Sequence, residues 1–128
     1  MEMTAKMILE MARNIISKPG NWCKNSAAYR KALPDNRFIP KGGLIPCSSQ
    51  DSEACQWCAA GAIDKVLSFG AYLDTLYIRE TTLRLLDKQC LDRSIVKFND
   101  RKKTSHDQII DVFDKAIANV ESAKNNLN

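Results

Sequence analysis

The segment from Ser48 to Gly70, SSQDSEACQWCAAGAIDKVLSFG, constrains the fold more than any other. It is the most apolar stretch of the chain, and its pattern asks for burial on several sides. Ser48 followed by Asp51 fits a capping box, so the spacing predicts a helix that starts near Ser49 to Asp51. Ala54, Trp57, Cys58, Gly61, Ala62, Ile63, Val66 and Leu67 then recur at helical spacing. Ala54, Cys58, Gly61 and Ala62 form a face of small residues on which another backbone can lie. Gly61 costs about 1 kcal/mol against alanine inside a helix, which points to a packing reason for it. The segment reads as the central helix, with Cys58 as a small buried residue and Ser68-Phe69-Gly70 as its stop.

The flanking chain supplies the partners for that helix. A first helix is predicted from about Met3 to Ser17, with Met7, Ile8, Met11, Ala12, Ile15 and Ile16 as its apolar stripe. Met3, Met7 and Met11 read as core filling, with an adaptable binding surface as the alternative. Lys18-Pro19-Gly20 ends the helix. Between Asn21 and Cys47 the helical period disappears, and three of the four prolines lie there. That segment reads as a long connection with at most a hairpin near Ala27–Lys31 and Leu44–Cys47, confined to short edges by Pro40 and Pro46. A third helix is predicted from about Asp74 to Cys90. Ile95, Val96 and Phe98 follow as one helical turn or a short extended piece. Thr104 with Asp107 repeats the capping-box spacing and opens a last helix through about Ala123, after which Lys124 to Asn128 should fray. The predicted fold is mainly α: a single domain over residues 1–128, of about four helices with a long loop or minor β-hairpin between the first two.

At 128 residues the chain has the length of one domain. No apolar run approaches the roughly 18 residues that a membrane span needs, so no membrane partner is expected. The acids and polar residues within MEMTAKMILEMARNII argue against a signal peptide, and the cytoplasm is the expected compartment. Five cysteines, an odd number, fit thiols kept reduced there. The net charge of +4 is unevenly placed, with basic residues concentrated in residues 1–46 and 79–103. If these two segments converge, nucleic acid or another polyanion becomes a candidate partner.

Several motifs invite chemistry. Cys55-Gln56-Trp57-Cys58 is a C-x-x-C in the first turns of the expected helix, where amide dipoles favour a thiolate. No βαβ pattern surrounds it, and no second pair has zinc-ligand spacing, so no metal or other cofactor is expected. His106 is the sole histidine, and it would serve as a general base only if folding brought Cys58 and Asn99 or Asp100 to it. Gly42-Gly43 lacks the spacing of a phosphate-binding loop. Trp22 and Trp57, once buried, each need an acceptor for the indole N–H, and Asn99 and Asp100 can supply one.

Trp22 after a helix, then Trp57-Cys58-x-x-Gly61-Ala62, then Phe98-Asn99-Asp100 and a Thr-capped last helix with Val112 together resemble a family of small bacterial and phage proteins catalogued only as a domain of unknown function. The resemblance spans about Met7 to Ala118. The family often has Trp where this chain has Phe98, and Cys55 is not part of its pattern. The resemblance implies no reaction, cofactor or partner. It marks Trp22, Cys58, Gly61, Ala62, Asn99 and Asp100 as the positions to examine. The expected function is that of a small non-catalytic accessory protein, from a bacterium or a phage-infected bacterial host, that binds a macromolecule, first of all a protein. The alternative is a small-molecule or nucleotide site, enzymatic or sequestering, formed by Trp22, Cys58, Asn99 and Asp100. The oligomeric state is left open.

Overall fold

The structure, a computed structural model, describes residues 3–40, 42–69 and 75–126. Its first helix, α1 (Ala5–Ile15), opens where Thr4 Oγ1 accepts the Met7 N–H at 3.2 Å. The buried stripe is Ile8, Leu9, Ala12 and, one residue past the helix, Ile16. Met7 and Met11 are pushed to its margin, about a third exposed. Pro19–Asn21 forms one 3-10 turn that ends the helical run, as the Lys18-Pro19-Gly20 signal requires.

The expected hairpin is present. Strands β1 (Ala28–Lys31) and β2 (Leu44–Cys47) pair antiparallel, with Ala28 opposite Cys47 and Lys31 opposite Leu44. A third strand, β3 (Ala54–Trp57), pairs antiparallel with the other edge of β1, giving the order β2-β1-β3 with a bulge between Tyr29 and Arg30. Trp57 also bridges in parallel to Trp22.

This third strand overturns the mainly α expectation. Among the described residues the chain forms five α-helices and a three-stranded antiparallel sheet, an α+β fold. Ser48 and Asp51 are the cause. Instead of capping a helix, Ser48 Oγ accepts the Gln50 N–H at 3.2 Å and Asp51 Oδ1 accepts the Glu53 N–H at 2.8 Å. Short polar side chains serve tight turns as readily as helix starts. Asp51 Oδ2 also accepts from Arg30 Nη1 at 3.2 Å, which fastens the turn to β1. The chain that leaves the turn meets an open strand edge and pairs with it.

The central helix therefore begins later than expected, as α2 (Ala59–Leu67) with Cys58 at its N-cap. Cys58 is half-buried, and its Sγ accepts the Gly61 N–H at 3.2 Å, so it caps the helix rather than filling its interior. Gly61 has the packing role that its position implied. A Cβ there would lie 2.0 Å from the Ala27 carbonyl oxygen, so the chain entering β1 rests directly on the helix backbone.

Three more helices complete the core. Helix α3 (Thr75–Asp87) ends before Cys90, and Asp87 Oδ1 accepts the Ile95 N–H at 2.7 Å, which ties this helix end to the segment that follows. Residues 70–74, including the expected start at Asp74, lie outside the described residues. The Ile95-Val96-Phe98 segment becomes a helix of its own, α4 (Ile95–Asp100), capped by Ser94. Helix α5 (His106–Asn126) extends beyond the expected Ala123. Its capping box is one residue later than predicted. Ser105 Oγ accepts the Gln108 N–H, and Gln108 Oε1 accepts the Ser105 N–H in return. Thr104 is buried beside it, its N–H donating to the Arg101 carbonyl.

The core is a layer of helices with the sheet at one end. Ile8, Leu9, Ala12 and Ile16 of the first helical segment meet Ala62, Ile63 and Val66 of α2, Leu86 of α3 and Ile109, Phe113 and Ala116 of α5. All of these are fully buried. Among the described residues no helix is long and apolar enough to cross a membrane.

The Ala27–Gly61 contact yields a test with a clear sign. On helix propensity alone, Gly61→Ala should stabilise by about 1 kcal/mol. The 2.0 Å approach reverses that, and the variant should unfold more easily by roughly 1–3 kcal/mol, since the added methyl must push backbone aside. Urea denaturation decides, and a Gly61→Ala protein as stable as the parent would refute the contact.

Candidate functional site

Asn99 stands near the end of α4 with 1% of its surface exposed. A carboxamide has two acceptor sites and two donors, and in Asn99 all four are used. Its Oδ1 accepts from the Trp22 indole Nε1–H at 2.7 Å and from the Ala59 backbone N–H at 3.0 Å. Its Nδ2 donates to the Cys23 carbonyl and to Asp100 Oδ1, both at 3.0 Å. Only one orientation of the amide works: indole and backbone N–H groups can only donate, and a carbonyl can only accept. One side chain thus joins the chain after α1, the first turn of α2 and the end of α4.

Asp100 extends the cluster outward. Its Oδ1 also accepts the Asn25 N–H at 2.8 Å. Asn25 has a φ of 69°, a left-handed conformation that asparagine tolerates better than most residues. Beside it, Lys24 Nζ donates to the carbonyls of Arg101 and, at 3.2 Å, of Lys102, closing the C-terminal end of α4. The same ammonium lies 5.5 Å from the centre of the Trp22 ring. His106 flanks Trp22 with its ring centroid 5.8 Å away, and its Nε2–H donates to the Ile16 carbonyl at 2.6 Å. The histidine is therefore half-buried and occupied at the end of the first helix.

Of the four residues singled out from the sequence, Trp22, Asn99 and Asp100 form one hydrogen-bonded chain. Cys58 lies next to it, as the neighbour of the Ala59 amide that Asn99 holds. The Trp57 indole goes elsewhere, donating to the Ser49 carbonyl at 3.0 Å. Asn25 and Lys24 complete the cluster and were not read from the sequence as its members, whereas His106, read beside Cys58 and Asn99 or Asp100 as a general base, meets the cluster through the Trp22 ring and bonds to the Ile16 carbonyl. The Asn25-Ser26 pair, a turn-forming composition, is the only trace of the first two there.

Cys23 and Cys90 are buried, and Cys47, Cys55 and Cys58 are half-buried. All five cysteines are free. Burial is the main influence on Cys23, whose pKa is pushed up to about 12. Burial also raises Cys58, against the opposing hydrogen bond from the Gly61 amide. A cysteine at a helix N-cap would ordinarily ionise more readily, but here desolvation outweighs the amide. Among the described residues, no group of three or more His, Cys, Asp or Glu side chains is placed to hold a metal ion.

A family model covers residues 1–119, and therefore every residue of this cluster. The chain belongs to DUF6197, a family of unknown function. No curated protein and no solved structure matches it. The order of Trp22, Cys58, Gly61, Asn99 and Asp100 that suggested such a family falls within one packed region. The membership brings with it no reaction and no ligand.

Two outcomes are expected. In Asn99→Ala, the Trp22 indole and the Ala59 amide lose their acceptor while Cys23 loses a donor, at about 1–3 kcal/mol for each buried group left unpaired. Chemical denaturation should show a large loss of stability, with a smaller one in Asp100→Ala, whose carboxylate lies nearer the surface. The second outcome concerns pH. The Cys23 thiol has a folded pKa of about 12 against an ordinary value of 9.0. The stability it contributes is fully present below pH 9.0 and is lost as pH rises from there towards about 12, because the unfolded chain releases its proton first. Melts of Cys23→Ser should therefore decline less steeply than the parent over that alkaline range.

Proposed function

We propose that the chain is a small non-catalytic accessory protein that binds a macromolecular partner, first of all a protein, through the arm between β1 and β2. The observation that carries this reading is Phe38, which is 93% exposed on a loop held by its own hydrogen bonds. Asn36 Oδ1 accepts the N–H groups of Phe38 and Ile39, each at 2.9 Å. At the base of the arm the Ala32 N–H donates to the Gly43 carbonyl at 2.7 Å, and the Gly43 N–H donates to the Pro40 carbonyl at 2.8 Å. Leu33 and Leu44, also exposed, flank it. A pre-ordered loop that offers a large aromatic with little entropy left to lose is the form that anchor residues take at protein interfaces.

The Trp22–Asn99–Asp100 cluster supports the same reading from the other side. Its polar groups are turned on one another, which suits a framework better than a pocket. Where the two basic segments meet, the ion pairing favours a protein over nucleic acid. Lys24 does bring the two basic segments together at Arg101 and Lys102. However, Arg30 is engaged by Asp51, Arg79 by Asp64 and Arg101 by Asp92. The free thiols fit a reducing cytoplasm, in a bacterium or its phage-infected counterpart.

A tagged chain used as bait in its native host should retain a partner that Phe38→Asp fails to retain, with the melting temperature unchanged because the side chain is exposed. Equal retention by the Phe38→Asp protein would remove the arm from the interface.

A further inference from the structure

Away from the arm, the end of α3 and the turn into α4 form an open surface cavity of about 580 Å³ lined by Arg84, Asp87, Lys88, Cys90, Leu91 and Arg93. Three of the six are cations. The one acid, Asp87, keeps its negative charge while its Oδ1 accepts the Ile95 N–H at 2.7 Å, so the lining carries an excess of two positive charges. Arg84 meets only Glu80, at 3.8 Å and largely in solvent, and Lys88 and Arg93 have no ion pair among the described residues. A cation just past a helix end compensates the carbonyl dipole there, which accounts for Lys88. It does not account for Arg93, which arrives from beyond the turn. Arg93 also has a φ of 57°, a left-handed conformation strained for an arginine. Backbone hydrogen bonds from Gln89 to Leu86, Cys90 to Asp87 and Arg93 to Cys90 fix the turn that brings Arg93 into the same lining as Arg84 and Lys88. Leu91, 93% exposed, stands on that same turn.

We propose that this cavity binds a small phosphate ester carrying several charges, with Arg84, Lys88 and Arg93 on its oxygens and Leu91 against its apolar part. Two guanidinium forks and an ammonium match the several oxygens of a phosphate chain, whereas a single carboxylate would leave most of that charge unmatched. The site is separate from the arm and does not depend on it.

Calorimetric titration of the full chain with inorganic triphosphate and with ATP tests the assignment. Both should bind saturably at low salt and more weakly as salt rises, with ATP the tighter of the two and its advantage lost in Leu91→Ala. Lys88→Ala should weaken binding about tenfold, as loss of one charged hydrogen bond does. Arg93→Gly should do the same, and because glycine accepts the left-handed backbone, it removes the charge without unfolding the turn. Absence of saturable binding by either probe would overturn the proposal. So would unchanged affinity in the Lys88→Ala/Arg93→Gly protein, or tighter binding of a glutamate-rich peptide than of ATP. Phe38→Asp should leave these titrations unaffected, so a failure here is distinct from a failure of the arm.

Discussion

The carboxamide of Asn99 is the interaction on which the arrangement rests. Three segments meet there: the loop after α1, the first turn of α2 and the end of α4. The loop brings the Trp22 indole and the Cys23 carbonyl, α2 brings the Ala59 amide, and α4 brings Asn99 itself, the partner of all three. In a low-dielectric interior such bonds are strong when complete and costly when broken, so the cluster fixes a single docking of these segments. The sheet then inherits its position. Cys23 donates its backbone N–H to Trp57, which ties β3 to the loop after α1, and Cys58 donates to Ala27, which seats the entry to β1 on the start of α2.

Much of this was legible in the sequence, for identifiable reasons. The hairpin was readable at its actual residues because Pro34, Pro40, Gly42 and Gly43 forbid any regular alternative between its strands. The helices were readable from the spacing of Ile, Leu and Val. The strand Ala54–Trp57 was not, because four residues are too few to show an alternation, and Ser48 and Asp51 suit a helix cap as well as a turn. Only the presence of an open β1 edge, a tertiary fact, decides between them. The late capping box has a similar origin. Thr104 and Ser105 both carry the needed hydroxyl, and the register with Gln108 selects the second.

The candidate site shows the same division. Trp22, Asn99 and Asp100 could be grouped beforehand because a buried indole needs an acceptor and few polar residues stood near the apolar segments. Their other partners are backbone groups of Cys23, Asn25 and Ala59, which leave no mark in side-chain identity. Cys58 illustrates competing effects in one atom. Its place at the head of α2 favours a thiolate and its burial opposes one, and burial wins. The sequence motif is intact, while the chemistry it usually signals is damped by its surroundings.

The span of the Asn99 contacts bears on when the fold can form. Trp22 and Asn99 lie 77 residues apart, and Cys23 and Asn99 lie 76 apart. Such closures are entropically expensive and slow compared with helix formation. On a growing chain, α1, the hairpin and α2 all emerge before α4 exists. Until residue 99 is made, the Trp22 indole has no acceptor, and the Ala59 amide that begins α2 has none either. The N-terminal half of the molecule must therefore wait for a residue about three-quarters of the way along the chain. A chain halted before that point would expose the thiols, both tryptophans and the unpaired edges of the sheet together.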